Sequence, residues 1–243
     1  KYLRRFPELA RHLPYNSIQR RNIGMLFAYE SGADVVVTID DDNFVLDDDF
    51  VGLNAAVGQS ARVRLIRSRT GWFNVCRFLK EEHGFPFYHR GFPMGKRWQG
   101  ERYTVREATR KVVVNAGFWL EDPDIDAMTR LTIPINVTGF AERKNFALER
   151  GTWSPFNSQN TALARETIPA YFLSPWVGRY DDIWASYIVK AIADYLGHAI
   201  AFGRPLVRQA RNPHNYFKDF DKERIGMELT DRFTEWLKKI RFK

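Results

Sequence analysis

The chain has 243 residues, 44% of them hydrophobic, 15% aromatic and 27% charged, which excludes a disordered, collagenous or fibrous protein. A single cysteine, Cys76, excludes a disulfide scaffold, and no apolar run nears the ~20 residues of a membrane span. The formal charge of +8 suits a polyanion, either nucleic acid or a phosphorylated small molecule, or else describes a solvated basic surface. The basic residues form no single long run, so no nucleic-acid arm is expected. The expected setting is the reducing cytoplasm.

Tyr2 to Leu13 is basic and apolar without a clear period. Asn16 or Ser17 caps an expected helix running to about Glu30, with Ile18, Met25, Leu26 and Tyr29 among its apolar positions, and Ser31-Gly32 ends it. Val35 to Ile39 is a β-branched run that reads as a strand buried on both faces, expected at the centre of a sheet with neighbours on both sides. It runs directly into Asp40-Asp41-Asp42. Helix, buried strand and polar strand end together form the α/β pattern in which ligands sit at the carboxyl edge of the sheet.

Arg62 to Ser68 reads as a second strand. The aromatic, Gly-containing stretch from Gly71 to Trp98 reads as a long ordered loop, a form that is usually functional. Short strands are expected at Lys111 to Asn115, Leu131 to Val137 and about Asn160 to Leu163. Tyr180 to Leu196 has the clearest helical spacing, stopped by Gly197, and Thr230 to Ile240 reads as a terminal amphipathic helix. No repeat, low-complexity segment or linker divides the chain, so residues 1–243 read as one α/β domain.

Asp40-Asp41-Asp42 carries the sharpest chemical signal. Alternate residues on a strand point the same way, so Asp40 and Asp42 can serve one site as the chain turns. Clustered carboxylates repel unless a cation lies between them, and a hard divalent ion bridging diphosphate oxygens would do so. The plainer reading is a solvated acidic turn, as for Asp47-Asp48-Asp49. Arg20 and Arg21 lie on the helix feeding that strand and offer paired donors to a phosphate, or are a surface basic pair.

An Arg-Asn-x-Gly helix beside a triple Asp resembles the arrangement in nucleotide-sugar glycosyltransferases of the GT-A fold. Four further segments follow in order: Arg90-Gly91-Phe92-Pro93; Gly117-Phe118-Trp119-Leu120 with Pro123-Asp124-Ile125-Asp126-Ala127; Gly178-Arg179-Tyr180-Asp181-Asp182-Ile183-Trp184-Ala185; and Asn212-Pro213. Together, from about Arg20 to about Glu223, they resemble the reversibly glycosylated polypeptide family, whose plant members act as UDP-arabinopyranose mutases.

The resemblance implies a GT-A-like, Rossmann-like mixed sheet flanked by helices. It also implies an opening nucleotide-binding strand upstream, so the chain is expected to be an N-terminally incomplete piece of that domain. Asp40 and Asp42 would hold a divalent metal, manganese or magnesium. Arg20, Arg21, Asp40, Asp41 and Asn160 would hold the nucleotide sugar. Asp181 and Asp182 would lie in the sugar or acceptor pocket, or simply cap their helix. Arg90 matches the family's reversibly glycosylated arginine, or is a phosphate or carboxylate clamp. In the family a His follows the Gly-x-Pro matching Gly203-Arg204-Pro205; here Gln209 falls near that place and His214 lies beyond Asn212-Pro213, leaving a third metal ligand open. Trp72, Phe73, Phe85, Phe87 and Tyr88 either stack on a base or sugar or form a packed loop.

The expected partner is a nucleoside-diphosphate sugar, a UDP-sugar above others. The leading expectation is metal-dependent glycosyl transfer to a small-molecule or glycan acceptor. The alternatives are a pyranose/furanose mutase that glycosylates itself reversibly at Arg90, and a non-catalytic nucleotide-sugar-binding subunit. Homo-oligomer formation stays open.

Overall fold

The longest buried run within a single strand is Val112 to Trp119, eight consecutive residues. In the computed structural model, which describes residues 2–13, 15–142 and 144–242, the rest of the chain is arranged around that stretch. Two helices, α1 (Pro7–His12) and α2 (Arg21–Glu30), precede strands β1 (Val35–Ile39), β2 (Asn43–Val45), β3 (Ser60–Ser68), β4 (Leu79–Glu81) and β5 (Tyr103–Glu121). Helix α3 (Ala127–Thr132), strands β6 (Val137–Phe140), β7 (Phe146–Leu148) and β8 (Asn160–Ala164), helix α4 (Asp181–Leu196), strand β9 (Ala199–Gln209) and helix α5 (Tyr216–Leu237) complete the order.

All nine strands belong to one mixed sheet. Strand β5 does two jobs. Its first half pairs antiparallel with β3, Tyr103 to Lys111 opposite Ser68 to Ser60. Its second half lies between β8, antiparallel, and β9, parallel. The short β7 joins β3 to β9. The architecture is therefore α/β, a mixed sheet flanked by helices, as expected.

The placement of Val35 to Ile39 is corrected. Strand β1 is an edge strand, paired antiparallel with β8 along one side only. Val35, Val36 and Val37 are half-buried against the main core, and Ile39 is exposed. A β-branched run reports contact on the strand's faces, whereas centre or edge depends on backbone partners that side chains do not encode. The longest buried strand run is Val-Val-Val-Asn-Ala-Gly-Phe-Trp in β5, of which the sequence pattern predicts only the part up to Asn115.

Strands β3 and β8 and helix α4 lie where the sequence places them. The strand expected at Leu131 to Val137 is instead the end of α3 and the start of β6, because the Asp126 side chain caps α3 by accepting from the Thr129 N–H at 2.9 Å. Helix α2 begins at Arg21, after a 3-10 turn over Ile18 to Arg20, since Asn16 takes the left-handed conformation at φ 51°. Helix α5 starts at Tyr216, where Asn215 caps the Lys218 N–H.

Helix α4 rests on a second apolar cluster with Trp72, Trp153, Ile183, Tyr187 and Met227. Fully burying side chains such as Ile183 and Tyr187 stabilises by about 1.5–3 kcal/mol each. Trp184 stacks on Phe233 of α5 at 4.3 Å, and its Nε1 donates to Thr230 Oγ1. Gly197, at φ 71°, closes the helix. Where α5 crosses the start of α4, a Cβ on Gly226 would lie 2.0 Å from the Tyr180 ring. In an exposed helix, Gly→Ala stabilises by up to ~1 kcal/mol. Here Gly226→Ala is expected to lower stability by about 1–3 kcal/mol through overpacking, and chemical denaturation reads the sign directly.

Candidate active site around Asp40 and Arg90

At the carboxyl end of β1 the chain makes a turn over Asp40 to Asn43, closed by the Asn43 N–H donating to the Asp40 carbonyl. That turn opens into a cavity of about 210 Å³ lined by Asp40, Asp41, Asp42, Arg21, Arg90, Asp124 and Asp182, among others. A larger hollow of about 370 Å³ lies over β3 and β5. Its charged groups include the pair Arg62–Glu107, partly exposed, and Arg64, which pairs with Glu142.

A closed circuit of polar contacts runs round the smaller cavity from Asp40 to Asp42. Arg21 Nη2 donates to Asp40 Oδ1 at 2.5 Å, and its Nη1 donates to the Ser158 carbonyl. The Ser158 N–H donates to Asp182 Oδ2 at 3.0 Å. Asp182 accepts from Arg90 Nη2 at 3.1 Å, and Arg90 Nε donates to Asp124 Oδ1 at 2.8 Å. Asn157 Nδ2 donates to Asp124 Oδ2 and to Gln159 Oε1. Gln159 Nε2 donates to Gln209 Oε1, and Gln209 Nε2 donates to Asp42 Oδ2. Each link fixes the rotamer of the next, which is how a site is held in shape before its ligand arrives.

Local sequence explains why Arg90 points inward. Its own N–H donates to the Asp124 carbonyl, so backbone and side chain grip the same residue. Gly91 takes φ 81°, and a Cβ there would meet Ile183 Cγ2 at 2.2 Å; only glycine allows the turn to sit on α4. Tyr187 of α4 donates its hydroxyl to the Gly91 carbonyl. Buried His89 is turned by a contact between its Nδ1 and the Arg90 carbonyl at 2.7 Å, which makes Nδ1 the protonated nitrogen.

Every nitrogen of the Arg90 guanidinium has a partner, the third being the Arg179 carbonyl. Burial would lower its pKa, but Asp124 and Asp182 outweigh burial and hold it well above the ordinary value. Burial alone would raise Asp124, yet Arg90 and His89 hold its carboxyl well below the usual carboxylate range. Asp40 moves the other way: burial, with Asp182 and Asp124 adding to it, outweighs the pull of Arg21 and raises it. Arg21 is raised as well, the carboxylate of Asp40 outweighing burial. The close contact between the two decides for an ion pair.

Not every expected residue reaches the cavity. Arg20 lies 4.6 Å over the Tyr15 ring instead of facing the site, since it stands one position round the helix from Arg21. Asn160 is buried, donates to the Phe118 carbonyl at 2.9 Å and fills the space beside Gly117, so it locks β8 to β5. Asp181 lies behind Asp182, accepting from Gln19 Nε2 and from the Asp182 N–H. Trp72, Phe73 and Phe87 are buried core residues, Tyr88 packs on Phe92, and Phe85 is exposed beside His83; the aromatic loop is a core, and its rings do not line the cavity. Asp124, Asn157, Gln159, Arg179 and Arg211 do line it. Asp124 and Arg179 fall inside quoted motifs; Asn157, Gln159 and Arg211 gave no spacing signal.

Among the described residues no three His, Cys, Asp or Glu side chains are arranged to hold a metal on their own. Asp40 is tied to Arg21, Asp42 accepts only from the amides of Gln209 and Asn43, and His214 Nδ1 lies 2.8 Å from Asp219 Oδ2. Two carboxylates at one cavity do match the donor set of a small divalent ion that takes its remaining ligands from a diphosphate and water.

The family model for reversibly glycosylated polypeptide matches residues 7–243. The chain belongs to that family. It is 32% identical over 200 residues to UDP-arabinopyranose mutase 3 of Arabidopsis thaliana, which covers 79% of this chain and 51% of the relative. It is 31% identical over 200 residues to UDP-arabinopyranose mutase 1 of Oryza sativa subsp. japonica, with the same two shares. A probable UDP-arabinopyranose mutase 2 of Solanum tuberosum is 32% identical over 79% of the chain and 50% of the relative. The chain thus spans about half the length of the relatives it matches. No helix among the described residues is long and apolar enough to cross a membrane.

The Asp181–Asp182 pair gives the site a testable pH dependence. Burial, with the adjacent Asp182 adding to it, pushes the Asp181 carboxyl up to about 6 from 3.8. A group raised in the folded state binds an extra proton there, so its contribution to stability grows as pH falls from 7 through 6 toward 4. Asp181→Asn is expected to stabilise the protein at pH 7.5, by about 3 kcal/mol at most at ~1.4 kcal/mol per unit of displacement. That advantage should be lost by pH 5 in thermal unfolding.

Proposed function

We propose that this protein acts on a UDP-sugar as a pyranose/furanose mutase, with Arg90 as the temporary carrier of the sugar. One observation supports this most: the buried Arg90 guanidinium, held between two carboxylates, lines the same cavity as the aspartate turn. Family membership and relatives named as UDP-arabinopyranose mutases point the same way. Transfer to an external acceptor, the leading expectation from sequence, is the weaker reading, because a transferase needs no second holding point for the sugar. At about 210 Å³ the cavity is smaller than the ~300–1,000 Å³ of pockets that enclose a whole ligand, so it suits the sugar–diphosphate end.

The chemistry follows from the groups present. As an Arg90 Nη attacks the anomeric carbon, the bond from that carbon to the diphosphate oxygen breaks, and its electron pair leaves with the UDP. The guanidinium proton passes to Asp182, which already accepts from Nη2; two adjacent carboxylates take up a first proton readily. The nitrogen lone pair then expels the ring oxygen, which gains a proton, leaving a C=N bond that a different sugar hydroxyl closes on as it loses one. Reversing the first step returns the sugar to UDP in the new ring form. A divalent ion, when bound, would be held by Asp40 and Asp42 with diphosphate oxygens and would offset charge on the leaving group. Arg21 and the amides of Gln159 and Gln209 hold the aspartates in place for it.

Intact-protein mass spectrometry after incubation with UDP-arabinopyranose is expected to show a pentose adduct that excess UDP removes. Arg90→Lys keeps a charge but loses the planar fork. It should abolish the adduct and cut ring isomerisation at least about a hundredfold, the scale of a misplaced reacting group. An acceptor-dependent product without any adduct on the unmodified protein would favour the transferase reading. Asp42→Asn, or chelation of divalent ions, should weaken UDP binding in calorimetry without lowering thermal stability, because Asp42 takes only amide hydrogen bonds in the fold.

A further inference from the structure

Four arginines line the cavity, and three of them are paired. Arg21 is held by Asp40, Arg90 by Asp124 and Asp182, and Arg179 by Glu223 at 3.2 Å and Asp219 at 3.5 Å. Arg211 is different. Its Nε is buried and has no hydrogen-bond partner among the described residues. It lies two residues past the end of β9, whose last residue, Gln209, binds Asp42, and the Ala210 N–H donates to the Asp42 carbonyl at 3.0 Å. The guanidinium with its unpaired Nε is thereby tied to the aspartate turn through the two residues that precede it.

We propose that Arg211 holds the diphosphate of the nucleotide sugar and retains it while the sugar is carried elsewhere; this rests on the nucleotide-sugar reading of the cavity. A buried donor without a partner destabilises the free protein unless something else in the cavity accepts from it. A phosphate oxyanion is the acceptor that matches a planar fork. Arg211 is also under pressure in the free protein: burial first, then Arg130 and Arg179, lower its pKa against the nearby Asp124 and Asp122. An anion would relieve all of these at once. Retention matters for a mutase in particular. The diphosphate must wait for the sugar to return, whereas a transferase can release it after one step.

The role separates cleanly from a structural one. Calorimetry with UDP and with inorganic pyrophosphate, in the presence of manganese, is run on the unmodified protein, Arg211→Gln, Arg211→Lys and the surface control Arg204→Ala. Arg204 pairs with Asp47 on the exterior, with half of its side chain exposed. Arg211→Gln should weaken both ligands on the order of ten- to hundredfold, and Arg211→Lys less, because it keeps a point charge without the fork. Unliganded Arg211→Gln should unfold at the same temperature as the unmodified protein or higher. UDP affinity within twofold of the unmodified protein in Arg211→Gln overturns the proposal, as does a lowered melting temperature with affinity retained, which would make Arg211 structural. If the unmodified protein binds neither UDP nor pyrophosphate, the nucleotide-sugar reading itself falls, and the proposal with it.

Discussion

The site depends on a buried ion cluster. Arg90, Asp124 and Asp182 have side chains at most 8% exposed, so all three have lost most of their hydration. Removing one partner from such a cluster typically costs about 3–5 kcal/mol, because the others stay buried and uncompensated. That cost is also what makes the arrangement specific. The turn bearing Arg90, the segment after β5 bearing Asp124 and the first turn of α4 bearing Asp182 satisfy one another's charges only in this relation. Ser158 and Arg21 extend the constraint to Asp40, and Asn157, Gln159 and Gln209 extend it to Asp42. Segments spread over residues 21–209 thus converge on one cavity.

The same cluster sets the chemical character of Arg90. Two carboxylates that hold a guanidinium firmly protonated oppose its use as a nucleophile. On the proposed reading they are also the groups placed to receive its proton as a carbon–nitrogen bond forms. Burial first, then the charge of Asp182, favours a protonated Asp181 carboxyl in that corner. Helix α4 adds the positive end of its dipole to the same two aspartates. On the proposed mutase reading, sugar transfer needs no large rearrangement of the backbone that carries these groups.

Much of this was legible in the sequence, for identifiable reasons. Helix α4 showed because its apolar positions repeat at helical spacing, and β3 and β8 because β-branched and apolar runs survive there. Asp40, Asp42, Arg90 and Asp182 were read as site residues, and they do face one cavity. The edge position of β1, the long polar first half of β5 and the parallel pairing of β9 with β5 were not legible. Backbone partners at long range set them, and exposed residues such as Thr104 to Glu107 carry no burial pattern. Arg20 and Arg21 look equivalent as letters; one step of helical rotation sends Arg21 to Asp40 and Arg20 to Tyr15. Asn157 and Gln159 were missed because neutral amides in a loop have no signature until their acceptors are placed.

The fate of the aromatic residues narrows what this cavity can recognise. Gly71 to Trp98 looked like a platform for a base or a sugar ring, yet Trp72, Phe73, Phe78 and Phe87 are spent on the two cores. Phe73 meets Tyr103 edge-on and Phe78 at a tilt, and Trp72 meets Trp153 and Tyr187 edge-on. The rings make the floor rigid. The residues lining the cavity are carboxylates, guanidiniums, amides and a histidine, with Ile18 as the apolar exception. Such a lining offers no flat apolar face on which a base could stack. It offers dense, directional hydrogen bonding to hydroxyls and phosphate oxygens. On the nucleotide-sugar reading, what it can discriminate is the stereochemistry of the sugar and the charge of the diphosphate. On the same reading, selection of the base would come from contacts outside this cavity.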